Sequence, residues 1–309
     1  MTFPLLDRQK ILILGANGQV GRALKKLLPK ATALDRSQAD LNQPEKLTAV
    51  LNEYEPNIVI NAAAYTAVDL AEKELETAKR VNGEAPGILA RWCADQSAVL
   101  VHYSTDYVFP GTGTDPWRES DKVSPLNAYG QTKLEGEQNI VRTFYSHGLD
   151  KSRYLIFRTS WVFDSEGKNF LLTMLKLGRD KPALKIVGDQ IGAPTFAQDL
   201  ALQTLVALEK GIKEIPFPSG VYHFAQTGET SWFGFANAIF EEARKAGMKL
   251  AVQDVTSIPS SEYPTPAKRP LNSRLDCTKA QDRFGITFRG WRLALKDCIL
   301  QVAEREKNS

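Results

Sequence analysis

The stretch that most constrains this chain lies near its start. Four apolar residues, Ile11–Leu14, run directly into Gly15-Ala16-Asn17-Gly18-Gln19-Val20-Gly21, and from Val20 the apolar residues take helical spacing at Ala23, Leu24, Leu27 and Leu28. A short apolar run reads as a buried strand, and the i, i+3, i+4, i+7, i+8 pattern as an amphipathic helix. The glycines between them permit a turn too tight for residues carrying a Cβ. A strand that turns straight into a helix feeds a parallel neighbour through that crossover. The first half repeats the alternation, with strand-like runs at 32–34, 58–61, 99–103 and 154–157. Helical patterns fall between them at Leu47, Val50, Leu51 and Tyr54, opened by Pro44, and at Ile88, Leu89, Trp92 and Cys93. This predicts an α/β fold whose parallel sheet is covered on both faces.

The second half has a different texture. Helical segments near 170–177, 196–209 and 231–246 are separated by loops rich in Pro and Gly, and 256–270, with four prolines, reads as irregular. The expected organisation is a first domain over 1–165, to which segments near 196–227 return. A smaller second domain, mainly 166–309, would lie over the end of the sheet, where its loops approach whatever the sheet binds.

The glycine loop carries the first chemical reading. Backbone that approaches closely at the N-terminus of a helix can face a pyrophosphate. Asp35 lies 20 residues beyond Gly15 at the end of the second strand, placed to bind a ribose 2′-hydroxyl, and the adjacent Arg36 could take a 2′-phosphate instead. Dinucleotide binding follows, with NADH and NADPH both open.

Tyr129 and Lys133 are four apart, on one face of a helix that Pro125-Leu126-Asn127 can enter. A free phenol titrates near 10, and a neighbouring ammonium favours the phenolate. Lys133 is therefore expected to tune Tyr129 as an acid–base group. Ser104-Thr105-Asp106-Tyr107 follows a strand at its carboxyl end, where open α/β sheets bind ligands. A hydroxyl there can polarise a carbonyl beside the tyrosine.

Composition excludes other classes. The charged residues, 39 basic against 36 acidic, are scattered, so neither a nucleic-acid nor a membrane surface is expected. No apolar run approaches a membrane span, and no secretory leader precedes the first strand. Three widely spaced cysteines suit neither disulfides nor a C-x-x-C metal site, which makes a cytoplasmic location the expectation. His102, His147 and His223 lack partners at metal spacing and read as structural. Trp232, Phe233 and Phe235 read as packing.

Taken together, the motifs resemble the extended short-chain dehydrogenase/reductases. Gly15, Gly18 and Gly21 match that family's glycine motif, Asn61-Ala62-Ala63-Ala64 the motif after its fourth strand, and Tyr129 with Lys133 its catalytic pair. Longer segments narrow the resemblance to dTDP-4-dehydrorhamnose reductases: 61–69, 104–109, 158–162, 188–195, Arg269-Pro270 and Leu275-Asp276. The resemblance implies a Rossmann-type doubly wound parallel sheet with a smaller C-terminal substrate-binding α/β domain. It implies reduction, by NADPH or NADH, of the 4-keto group of dTDP-4-dehydro-L-rhamnose. Tyr129 would be the proton donor, Lys133 would also hold the ribose, and Thr105 would bond the reacting oxygen. The cofactor set would be Gly15, Asn17, Gly18, Gln19, Val20, Gly21, Asp35, Arg36, Asp40, Leu41, Ala62, Ala63, Ala64, Tyr129 and Lys133. Thr66, Val68, Ser104, Thr105, Asp106, Tyr107, Tyr129 and Trp161 would line the sugar site, and Asn169 and Arg269 the nucleotide end.

Tyr107 stands where related dehydratases carry a glutamate, which favours simple reduction. Some members form a magnesium-bridged dimer through a glutamate two residues past the third glycine. That position is Ala23 here, so no metal is expected, and monomer and homodimer both stay open. Two other readings fit the same motifs. One is a non-catalytic NADP-binding regulator resembling the methionine adenosyltransferase beta subunit; the other is a reductase or epimerase of another nucleotide sugar.

Overall fold

The computed structural model describes residues 2–148 and 152–307. In chain order the first half contains β1 (Ile11–Leu14), α1 (Gln19–Leu27), β2 (Thr32–Leu34), α2 (Pro44–Tyr54), β3 (Ile58–Asn61), α3 (Val68–Ala71) and α4 (Leu75–Lys79). A π-helical turn, Arg80–Glu84, joins α4 to α5 (Ala85–Asp95), and β4 (Val99–Thr105), α6 (Ala128–Ser146) and β5 (Tyr154–Thr159) follow. The second half holds β6 (Val162–Phe163), α7 (Phe170–Asp180), β7 (Ala183–Val187), β8 (Ile191–Gly192), β9 (Thr195–Phe196), α8 (Ala197–Gly211) and β10 (Gly220–His223). It ends with β11 (Thr230–Ser231), α9 (Trp232–Lys245), β12 (Asp254–Ile258), β13 (Asn272–Ser273), α10 (Thr278–Phe284) and α11 (Trp291–Lys307).

Six strands form one sheet in the order β10-β5-β4-β3-β1-β2, and every adjacent pair is parallel. The chain steps from β1 to β2 on one side, then crosses to β3 on the other. The switch point, where such sheets bind ligands, therefore lies between β1 and β3 and puts the glycine loop at its mouth. Alternation along β1 supplies both faces. Ile11 and Ile13 join a core with Leu24, Leu200 and Leu205, while Leu12 and Leu14 join another with Leu47, Leu89 and Phe144.

A third core binds α7, α9 and α11 through Phe163, Leu171, Leu175, Phe235, Phe240, Leu295 and Ile299. Helix α8 and strand β10 pack with the main sheet, as do Ala280, Phe284, Ile286 and Phe288.

One detail differs from the sequence reading. Thr256–Ile258 is not irregular: it belongs to β12, which pairs in parallel with β7, and the prolines act only from Pro259 onward. The Asn61–Ala64 motif follows β3, the third strand-like run of the sequence.

Candidate active site

The glycine loop is shaped by contact with the β3 end. Gly15 has φ +83°, and a Cβ there would lie 2.7 Å from the Ala63 nitrogen. A Cβ on Gly21 would lie 2.1 Å from the Gly15 carbonyl oxygen, so α1 can begin against the loop only with glycine there. Gly18 is the N-cap of α1, and no side chain caps the helix, which leaves its first amides turned toward the opening. A cleft of about 460 Å³ runs along this edge. Gly15, Asn17, Gly18, Gln19, Val20, Asp35, Arg36, Asp40, Leu41 and Ala62–Ala64 line one stretch of it, and Thr66, Ser104, Tyr129, Lys133 and Thr159 another.

At the end of β2, Asp35 accepts from the Ser37 amide at 2.9 Å, from the Ser37 hydroxyl at 2.6 Å and from Asn17 Nδ2 at 3.0 Å. The Ser37 bonds hold this carboxyl below its usual range. Arg36 pairs with Asp40 at 3.3 Å and is largely exposed. Uncapped amides for a pyrophosphate, an ionised carboxylate for a ribose, and the length of the cleft together fit a nicotinamide dinucleotide. Thr159 Oγ1 is buried beside the same cleft and has no hydrogen-bond partner among the described residues.

The reacting end is built by β4 and α6. Asn127 caps α6 by accepting from the Gly130 amide at 2.8 Å, while its Nδ2 donates to the Lys268 carbonyl at 2.8 Å. Gly130 and Gly136 let α6 approach closely: Cβ atoms there would lie 2.3 Å from Tyr107 O and 2.1 Å from Asn82 O. Thr105 Oγ1 donates to Asp106 Oδ1 at 2.9 Å and also faces the Tyr129 phenol. Burial, reinforced by Asp106, pushes the Tyr129 phenol well above its usual range, against the Thr105 hydrogen bond.

The expected tuning of Tyr129 by Lys133 is therefore not seen. Lys133 Nζ turns instead to the Tyr103 carbonyl at 2.5 Å and to His102 Nε2 at 3.2 Å. Burial brings Lys133 itself down to about 8, opposed by Glu137. A phenol held protonated suits a proton donor.

Around this centre the other expected residues divide. Tyr107 packs edge-on against Tyr129 and faces Arg269, which donates to Asp69 of α3 at 2.7 Å. Val68 opens α3, and Thr66 lines the cleft. Ser104 does not present a free hydroxyl; its Oγ donates to Glu137 Oε1 at 2.5 Å. Trp161 has φ +48° and stacks on Trp232 with centroids 3.7 Å apart. Its ring and Ser273 flank Gly192, where a Cβ would lie within 3.0 Å of both, and Ser273 lies beside Asp106. Asn169 is not brought to this group. It caps α7, accepting from Leu172 N at 3.0 Å, and its Nδ2 donates to Gln19 Oε1 at 2.9 Å, which ties it to the glycine loop.

Several residues at the centre were either unread in the sequence or read there as structural. Glu137 is four past Lys133 on the same helix face, a spacing that could have flagged it. It takes a bidentate pair from Arg158, at 2.9 and 2.6 Å, across the sheet. His102 shares a strand face with Ser104 and reaches Lys133. Trp232, read as packing, is also the stacking partner of Trp161. Among the described residues no group of three or more His, Cys, Asp and Glu is placed to hold a metal ion. Ala23 is buried in the sheet core. No described helix is long and apolar enough to cross a membrane.

A parallel sheet with a dinucleotide-sized cleft at its switch point, and a Thr–Tyr–Lys cluster at one end, defines a nicotinamide-dependent oxidoreductase of the extended short-chain class. The family described as "RmlD substrate binding domain" matches residues 9–304, and the chain belongs to that family. It is 47% identical over 298 residues to a dTDP-4-dehydrorhamnose reductase of Burkholderia thailandensis, covering 94% of this chain and 98% of that one. The Salmonella typhimurium enzyme of the same name is 41% identical, with 94% and 97% covered. Among solved structures, a Bacillus anthracis dTDP-4-dehydrorhamnose reductase in complex with NADP superposes with TM-score 0.85 at 32% identity, covering 95% and 99%. A Clostridium acetobutylicum reductase superposes with TM-score 0.84 at 37% identity, covering 94% and 98%.

Proposed function

We propose that this chain reduces the 4-keto group of dTDP-4-dehydro-L-rhamnose to the alcohol of dTDP-L-rhamnose, using NADPH or NADH. The observation that carries the reading is the cluster of Thr105, Tyr129 and Lys133 at the end of a cleft opened by the glycine loop. The names of the relatives supply the substrate, and the NADP in the Bacillus anthracis structure supports the cofactor.

When bound, the dinucleotide supplies hydride to C4. The chain's own part is to hold the carbonyl oxygen and protonate it. Thr105 Oγ1, by turning its hydrogen from Asp106 Oδ1, donates to that oxygen, and the Tyr129 hydroxyl gives its proton as negative charge develops there. Lys133 binds the ribose beside the phenol. Gly15, Asn17, Gly18, Gln19 and Val20 take the pyrophosphate, with Gly21 seating the loop. Asp35, Arg36, Asp40 and Leu41 surround the adenosine, and Ala62–Ala64 back the ring. Thr66, Val68, Asp106, Tyr107 and Trp161 form the sugar wall, and Arg269, beside Tyr107, faces the nucleotide. Ser104 and Asn169 act on this site from behind, through Glu137 and Gln19.

In this reading 1–165 is the dinucleotide domain, to which 196–227 returns, and 166–309 is mainly the substrate domain. The protein acts in the cytoplasm as a monomer or homodimer, on a small nucleotide sugar and without a metal.

The test follows absorbance of NADPH, and then NADH, as purified protein meets freshly made dTDP-4-dehydro-L-rhamnose. Oxidation that is lost in Tyr129→Phe supports the reading. A protein that binds NADPH yet leaves this sugar untouched refutes the substrate.

A further inference from the structure

Lys133 ends a three-link polar chain for which the reduction as described has no use. Its Nζ lies 3.2 Å from His102 Nε2, and His102 Nδ1 lies 3.1 Å from Asn61 Nδ2. Asn61 Oδ1 accepts from the Ala63 amide at 3.2 Å. All three side chains are at most 1% exposed.

The direction of each bond can be read from the fixed end. A backbone N–H only donates, so Ala63 draws Asn61 Oδ1 to itself and leaves the Nδ2 hydrogens aimed at His102. Nδ1 of His102 must then accept, and in a neutral ring the proton sits on Nε2. Burial favours that neutral ring. Nε2–H accordingly points at Lys133 Nζ, whose other neighbour is the Tyr103 carbonyl. An uncharged amine satisfies both, giving a hydrogen to the carbonyl and its lone pair to His102. An ammonium would meet His102 donor to donor.

The other groups around this point are few. Tyr129 and Glu137 come from α6 itself, and Glu137 favours the ammonium. Ser104 of β4 and Arg158 of β5 both bond that carboxylate, so its charge is already shared. Asn61 of β3 is uncharged.

We propose that His102 is a positioning residue for the reduction, holding Lys133 through the amine lone pair, so that Asn61 and His102 together set the pH at which the lysine takes up a proton. The proposal rests on Lys133 belonging to the reducing site described above. It makes Lys133 a group that exchanges its proton near neutrality rather than a standing cation.

Two measurements decide it. Long-range ¹H–¹⁵N correlation spectra of histidine-labelled native protein at about pH 9 report the tautomer directly, and the chain has only three histidines. A neutral His102 protonated on Nε2 is expected; an Nδ1-protonated ring or an imidazolium overturns the proposal. This experiment needs no substrate, so it stands even if the sugar assignment fails.

The second is the pH dependence of kcat/KM in His102→Gln. The limb belonging to Lys133 should move up by about one pH unit relative to the native protein, because the glutamine carbonyl can accept from an ammonium. An unmoved limb overturns the proposal. If the variant does not fold, or if no turnover of the nucleotide sugar is found, the tautomer alone decides.

Discussion

Tyr107 meets Tyr129 edge to face, with ring centroids 5.5 Å apart and planes at 78°. Tyr107 lies on the short turn after β4 and Tyr129 on the first turn of α6, and Gly130 lets the two elements touch. The contact fixes the phenol ring without occupying its hydroxyl, which is left to Thr105. Tyr129→Phe keeps the ring contact and removes only the proton. Turnover should fall by about 10²–10⁴-fold while NADPH binding stays native, as read by stopped-flow oxidation and by cofactor fluorescence. Near-native turnover would place the proton donor elsewhere.

Gly21→Ala tests the loop. A Cβ at that position meets the Gly15 carbonyl at 2.1 Å, a backbone atom that can yield only by opening the turn. Overpacking of this kind costs roughly 1–3 kcal/mol. The variant should fold, melt a few degrees lower and lose most of its thermal stabilisation by NADPH. An undiminished NADPH shift would mean that the loop does not seat the dinucleotide.

Much of this was legible because the local signals agree with the fold. The run Ile11–Leu14, the three glycines and the helical spacing from Val20 each demand the same strand–turn–helix, so β1 and α1 could be read without a structure. Tyr129 and Lys133 were legible because helix geometry fixes an i, i+4 pair. His102 and Arg158 were not, since each meets its partner only after distant strands pair and α6 lies across them. Their sequence neighbours carry no trace of that. The prolines between 256 and 270 misled for the opposite reason: they mark the end of β12, not its absence. The direction of Lys133 was misread because chemistry at a spacing says which groups are near, not which way a long side chain turns.

The pair of Arg158 and Glu137 makes a stability prediction. Both side chains are no more than 5% exposed, and Ser104 adds a third bond to the carboxylate. Removing one member leaves a buried charge without its counterion, which typically costs about 3–5 kcal/mol. Arg158→Met should lower the urea midpoint sharply, and Glu137→Gln should do the same to Arg158. The double variant should lose much less than the sum of the two single losses, because neither charge is left buried alone. Additive losses would mean that the two groups are not coupled.

Asp106 gives the stability a pH signature. Burial pushes its carboxyl up to about 6, against hydrogen bonds from Ser273 and Thr105, while its ordinary value is 3.8. The folded protein thus holds this proton more tightly than the unfolded chain. The contribution is fully favourable below the unfolded value, declines as pH rises from about 4 through 6, and is lost above that. The gap corresponds to roughly 3 kcal/mol. Asp106→Asn has no charge to bury, so it should melt higher than the native protein at about pH 7 and close to it at about pH 4. A difference that does not change with pH would mean Asp106 is ionised at no cost.

The choice between NADH and NADPH turns on two adjacent residues with opposite charge. Asp35 is kept ionised by Ser37 and lies on the cleft, so it can accept from both hydroxyls of an unphosphorylated ribose but would repel a 2′-phosphate. Arg36 can reach such a phosphate only by leaving Asp40, and because it is 78% exposed that exchange costs little. The two effects oppose each other, so both cofactors should be used. Asp35→Asn removes the charge that strengthens the ribose bonds and should lower kcat/KM for NADH while sparing or improving NADPH. Arg36→Ala should do the reverse, weakening NADPH alone and more so at low salt, where the lost attraction is least screened. Parallel losses for both cofactors in either variant would mean that the adenosine ribose lies elsewhere along the cleft.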